Sequence, residues 1–213
     1  MSTEEKIELK ETNTSQYGIQ DVMSIGYVFL LILGVLNQTI YYGILGINIF
    51  EYTTVLDVLI SPIAVLSDSW IILVTVIGLV ILMIGYFKLI RMFYDRLAKK
   101  EKYQKGKKKE KLDKVRASFN KKYAVIPFIL FVMMSMYVGL GVGSGQKIKE
   151  RINNFDYKYT DVIVFEDGEK LNTKIVGKNS SYVFYVTKEE ANINIVPIEG
   201  NIKLIKKIKK EKK

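Results

Sequence analysis

Trp70–Ile90 reads WIILVTVIGLVILMIGYFKLI, and these residues decide the fold. They contain no acidic side chain and one basic one, Lys88, near the end. A helix rises about 1.5 Å per residue, so ~20 apolar residues cross the ~30 Å hydrocarbon layer of a bilayer. A buried strand needs far fewer. The stretch is therefore expected to be a spanning helix. Working outward, Ala124–Gly143 (AVIPFILFVMMSMYVGLGVG) meets the same criterion, and Val22–Ile49 meets it with polar interruptions. The expected class is an α-helical polytopic membrane protein with three spanning helices.

Between the second and third runs lies the most basic part of the chain. Lys99, Lys100, Lys107, Lys108, Lys109 and Lys111 belong to it, and only Asp95, Glu101, Glu110 and Asp113 oppose the positive charge. Short Lys/Arg-rich loops stay in the cytoplasm, which places Arg91–Lys122 inside and Gln146–Lys213 outside. The protein is expected in the plasma membrane, the inner membrane where a cell has two. Met1–Gln20 is polar and lacks the basic start and cleavage site of a secretory signal, so it reads as a disordered, uncleaved arm.

Ile44–Ser69 is apolar but holds Glu51, Asp57, Asp68 and Pro62. If it crossed the bilayer there would be four spans. Its length and polarity favour a re-entrant or interfacial helix over 47–66. The resulting organisation is an arm (1–20), a transmembrane hairpin with that helix (21–91), a basic helical loop (92–122), a third span (123–145), a linker helix (146–160) and a small domain with a Lys-rich tail (161–213).

The 213 residues include neither Cys nor His. Disulfides, thiolate nucleophiles, Ser–His–Asp triads and Cys/His zinc sites are thereby excluded. No GxxxxGK[ST] phosphate loop is present. No cofactor is expected, and a non-enzymatic role is favoured.

Three constellations could carry function. Glu51, Thr54, Asp57 and Ser61 recur at spacings of three, three and four, which puts them on one face if the segment is helical. Such a face is either an acidic vestibule for cations or the headgroup side of an interfacial helix. Asn37, with Gln38 and Thr39, lies near the end of the first run; amides there bond across helices or line a pore. Tyr41 and Tyr42 fit an interfacial belt. Gly139, Gly141, Gly143 and Gly145 form two overlapping GxxxG pairs, which permit close helix packing within or between copies, or loosen the helix end as a hinge. The lysine-rich loop suits anionic lipid or an acidic cytosolic protein; nucleic acid is disfavoured, because no aromatic interleaving offers base stacking.

After Asp161 the pattern alternates. Asp161–Phe165, Leu171–Val176, Tyr182–Val186, Asn192–Val196 and Ile202–Ile208 read as strands, with an Asp167-Gly168 hairpin signal between the first two. Over Asp161–Ile208 this order resembles an SH3-like or Sm-like small barrel at the level of fold. The resemblance implies a closed or half-closed barrel that binds peptides, nucleic acid or neighbouring copies, without specifying a ligand. The tripeptide Asn179-Ser180-Ser181 also fits a glycosylation sequon.

The expected function is a self-associating sensor or scaffold subunit that couples an outer β domain to a cytosolic partner on the basic loop, as in envelope stress or antiphage defence. The alternative is a homo-oligomeric channel or transporter subunit using the Glu51/Asp57 face.

Overall fold

The computed structural model describes residues 18–68, 70–120, 125–187 and 191–208. Most of the expected N-terminal arm, the end of the Lys-rich tail, Lys121 and Lys122 lie outside the described residues. Among the described residues, five α-helices precede a five-stranded antiparallel sheet: α1 (Ile19–Ile44), α2 (Val55–Asp68), α3 (Trp70–Ala98), α4 (Gly106–Asn120) and α5 (Ile126–Asn153).

Helices α1, α3 and α5 have 26, 29 and 28 residues and the apolar composition of membrane spans. At the helical rise they measure about 39, 44 and 42 Å, enough to cross a bilayer with length to spare. Their apolar side chains point outward: Ile71, Ile81, Leu82 and Leu89 on α3 are all at least 60% exposed. A water-soluble core would bury such residues; a lipid-facing helix does not.

Asn37 of α1 meets Tyr137 of α5, Ile40 meets Gly141, and Ile44 meets Gly145. The pairing advances in step, so α1 and α5 run parallel. Between α3 and α5, Phe87 meets Phe128 with ring centroids 5.1 Å apart, and residues before Phe87 (Val76, Leu79, Val80, Met83) share one small cleft with residues after Phe128 (Ile129, Val132, Met133, Met136). That pairing runs in opposite senses, so α3 is antiparallel to both. One end of the bundle therefore carries the C-termini of α1 and α5 and the start of α3. The other carries the start of α1 and the α3–α4 hairpin.

With 14 residues, α2 is about 21 Å long and too short to span. It packs against the second half of α1 and returns the chain to the end from which it left. Pro62 interrupts its hydrogen-bond ladder by withholding an N–H from the carbonyl of Val58. Ser61 Oγ donates to that carbonyl at 3.0 Å. Gly34 of α1 closes over the same oxygen: a Cβ there would lie 1.9 Å from it, so only hydrogen fits.

The long α5 continues through its glycines to Asn153 without a break. It leads into β1 (Asp161–Phe165), β2 (Lys170–Lys178), β3 (Tyr182–Val186), β4 (Asn194–Pro197) and β5 (Ile202–Lys207), ordered β4-β3-β2-β1-β5. The β1–β2 turn holds Gly168 at φ 91°, which accounts for the Asp-Gly signal. A single core takes Ile163 from β1, Leu171 and Ile175 from β2, Val183 and Tyr185 from β3, Val196 from β4 and Ile202 from β5. The sheet is thus curled about its own core. It is not a closed barrel, contrary to one form of the sequence expectation: β4 and β5 are its edges and do not pair with each other. The physical reason lies in β4, which has four residues and ends in Pro197, a residue with no N–H to extend a ladder.

Candidate functional site: the junction between the sheet and the helices

The second face of the sheet is also buried, and this makes the site. Phe184 of β3 is fully buried against Tyr42 at the end of α1 and Ile49 in the following turn, with Tyr41, Tyr52, Val176, Tyr182 and Ile195 around them. The aromatic rings meet at an angle: Tyr42–Phe184 centroids lie 4.9 Å apart, Tyr52–Tyr182 5.3 Å and Tyr52–Phe184 6.0 Å. Such tilted contacts favour the ring quadrupoles beyond the area they bury. A β-bulge between Ile175 and Gly177 re-aims β2 so that Val176 and Gly177 face the helices. Tyr41 Oη donates to the Val176 carbonyl at 2.6 Å. At Gly177 a Cβ would fall 2.1 Å from Tyr42 Oη, so the glycine admits the ring.

The β2–β3 turn adds polar contacts. Asn179 Nδ2 donates to the Tyr52 carbonyl at 2.8 Å, while its Oδ1 accepts from the backbone N–H of Ser181 and of Tyr182. The sequon asparagine is thus used structurally. Ser180 donates to Asp57 twice, from its backbone N–H at 3.1 Å and its hydroxyl at 2.9 Å. Asp57 also caps α2, accepting from the Thr54 N–H at 3.0 Å and the Thr54 hydroxyl at 2.7 Å, while Thr54 Oγ1 accepts from the Asp57 N–H at 3.2 Å. That is a capping box. Burial by itself pushes the Asp57 carboxyl up, but the hydrogen bonds from Thr54 and Ser180 together outweigh it and hold the group below its ordinary value.

Glu51, Thr54, Asp57 and Ser61 do not line one helical face. Glu51 belongs to the short turn Ile49–Glu51, ahead of α2, and accepts from Asn48 Nδ2 at 2.8 Å. Thr54 and Asp57 close the α2 start, and Ser61 turns inward toward the Val58 carbonyl. Among the described residues no group of three acidic side chains is placed to hold a metal ion.

Asn37 is buried and donates from Nδ2 to the Tyr137 carbonyl at 3.1 Å. Fully buried Tyr137 in turn donates from its hydroxyl to the Pro62 carbonyl at 2.8 Å. The carbonyl that the proline itself orphans, that of Val58, is covered by Ser61 Oγ, and the Tyr137 hydroxyl adds a bond from the facing helix. One chain of bonds therefore joins α1, α5 and α2. Of the four glycines, Gly141 and Gly145 lie buried against α1, where a Cβ would come within 3.1–3.3 Å of Asn37, Ile40, Tyr41 and Ile44 atoms. Gly139 and Gly143 face outward with no neighbour within 4 Å.

The basic residues are at the opposite end. Lys99, Lys100, Lys107, Lys108, Lys109 and Lys111 are all exposed. They lie about a hairpin whose helices α3 and α4 are joined by Arg116, which donates from Nε and an Nη to Asp95 at 3.0 and 2.7 Å, and by Phe119 stacked on Tyr94. Gly106 opens α4 at φ 69°, a left-handed conformation that glycine adopts without strain.

Sequence reasoning missed Gly34, Tyr137, Tyr52 and Ser180. The T-x-x-D spacing of Thr54 and Asp57 was a legible cap signal. The others become meaningful only through partners 24 to 132 residues away, as in Gly34 with Val58 and Tyr52 with Phe184. No family model matches the chain, and no curated protein or solved structure matches it significantly.

Proposed function

We propose that this chain is a non-enzymatic integral membrane subunit that senses or scaffolds, with the sheet outside the cell and the lysine-rich hairpin in the cytoplasm. The observation that carries the reading is the Tyr42–Phe184–Tyr52 junction, which makes the sheet one body with the end of α1 and the start of α2. A ligand or partner that shifts the sheet pulls on Tyr42 and Asp57. Through Gly34, Asn37 and Tyr137 that shift reaches α5, whose other end adjoins the hairpin. The curled five-stranded sheet, with its SH3-like strand order, serves as an interaction module. Copies associate in the bilayer through outward apolar surface, including Gly139 and Gly143. The hairpin binds anionic lipid or an acidic cytosolic protein.

An ion-conducting subunit draws less support, because Asp57 is engaged by Thr54 and Ser180 and Glu51 by Asn48.

The absence of cysteine makes the test clean. Single variants Asn201→Cys and Lys109→Cys are treated, in intact cells, with a thiol reagent that does not cross membranes. Labelling of Asn201→Cys at once, and of Lys109→Cys only after lysis, is expected; the reverse pattern overturns the orientation. Capture of a cytosolic protein by the native chain, lost on Lys-to-Glu change at positions 107, 108, 109 and 111, supports the coupling. Capture unaffected by that change rejects it.

A further inference from the structure

Where α5 leaves the bundle, a cavity of about 330 Å³ opens between its last two turns, the strand-entry segment and the sheet. Its walls are apolar: Ile148 and Ile152 from α5, Val176 from β2 and Val186 from β3. Its rim is cationic, with Arg151, Lys158 and Lys174 against one carboxylate, Asp156. Three positive charges less one negative leave an excess of two. Among the described residues none of these four forms an ion pair. Lys174 has only the Thr160 hydroxyl, 3.3 Å away. Tyr157, also on the lining, donates to the Thr187 carbonyl; a phenol carries no charge near neutral pH, so it adds nothing to oppose the cations.

The depth of the cavity matters as much as its charge. Val176, one of its walls, accepts from Tyr41, and Gly145 packs on Ile44 at the end of α1. Ile148 and Ile152 lie about 5 and 10 Å further along α5. The cavity thus sits where the apolar helices end and the polar domain begins, the level of phospholipid headgroups. An apolar floor below a cationic rim suits an anion that carries an acyl or glyceryl body. It does not suit a bare inorganic ion, which would leave the floor empty, and it favours an anion over a zwitterion, whose ammonium would find one carboxylate, Asp156, among three cations.

We propose that this cavity binds a phosphate ester anion, with Arg151, Lys158 and Lys174 holding the phosphate and Ile148, Ile152, Val176 and Val186 receiving its organic part. The source at this depth is the headgroup of an anionic phospholipid. That choice of source rests on the membrane reading above, whereas the phosphate-ester site itself does not. Occupancy would fill the angle between α5 and β2 and brace the sheet against the helices, making lipid composition an input to the junction.

The test is native mass spectrometry of the full chain released from detergent, in the presence of phosphatidylglycerol, phosphatidylcholine or soluble glycerol phosphate. Retained phosphatidylglycerol, with little phosphatidylcholine, is expected. Arg151→Gln with Lys158→Gln should lower retention roughly thirtyfold, at about fivefold per cation. Both side chains are exposed, so folding should survive; Lys174→Gln alone is the second variant, with a smaller loss expected. Gln replacements at Lys203 and Lys206, exposed on β5 and outside the cavity, are the control for non-specific charge. Glycerol phosphate binding that the Arg151/Lys158 changes abolish, without lipid selectivity, supports the site and assigns it to a soluble ester. Equal retention by native and Arg151/Lys158 proteins, or an equal fall in the control, overturns the proposal.

Discussion

The two ends of the helical bundle are built differently. At the sheet end, contacts are close and specific: Gly34 over the Val58 carbonyl, Asn37 on Tyr137, Tyr137 on Pro62, and Phe184 enclosed by Tyr42 and Tyr52. At the hairpin end, α3 and α4 meet through aromatic rings and one ion pair whose partners stay 34% and 42% exposed. Ile25, Val28 and Ile32 of α1 and most of α3 face outward. Close packing transmits displacement, because packed groups cannot move independently; a loosely joined, charged hairpin can reorient. The contrast teaches that the rigid part of this molecule is where the sheet sits and the adaptable part is where the lysines sit.

Breaking the rigid end should have the largest effect. Phe184→Ala removes a fully buried ring shared by sheet and helices. It should cost about 3–5 kcal/mol, read as a lower unfolding midpoint in detergent and as faster proteolysis between α5 and the sheet. An unchanged midpoint would mean that the sheet does not rest on α1.

Next comes a comparison within one helix. Gly141→Val forces a larger side chain against the Asn37 carbonyl and Ile40, at about 1–3 kcal/mol. Gly139→Val, two residues away, meets nothing and should leave stability within about 0.5 kcal/mol. Equal losses would show that Gly139 also packs, in an assembly of several copies.

Asp57→Asn should cost about 1 kcal/mol, mainly through the cap and the Ser180 bonds. The sign of its pH dependence follows from a folded pKa below the ordinary value. The stabilisation is complete above the unfolded pKa of ~3.9 and fades as pH falls through the lower folded value. Native protein should lose this increment in acid, and Asp57→Asn should show a flatter stability profile over the same range. Parallel profiles would remove Asp57 from the junction.

Arg116→Gln, at the adaptable end, should have the smallest effect, about 0.2–1 kcal/mol, further reduced by salt. A loss as large as that of Phe184→Ala would erase the contrast between the ends.

Much of the architecture was legible in the sequence because it depends on local pattern. Trp70–Ile90 is long and apolar whatever surrounds it, and Tyr182–Val186 is a short aromatic and β-branched run that follows the Gly177–Ser181 turn. The sheet's open edges were less legible, since β4 is cut short by Pro197 only in the context of its partner β3. The site was least legible. Tyr41 and Tyr42 carry the same signal whether they sit among headgroups or hold a domain, and their role follows from Val176, Gly177 and Phe184, more than 130 residues later.

The sequence by itself determined that three helices are long and apolar enough to span, that a small β domain follows them, that thiol and imidazole chemistry is excluded, and where the positive charge concentrates. Composition and period suffice for these, because hydrophobic length and side-chain alternation are properties of single segments. Only the tertiary structure decided that α1 and α5 run parallel, that α2 turns back beside Gly34, that Gly141 and Gly145 rather than Gly139 and Gly143 face α1, and that Asp57 is bound by Ser180. Each of these is a pairing between distant segments, and a pairing is fixed by which surfaces fit without leaving a buried carbonyl or ring unpartnered.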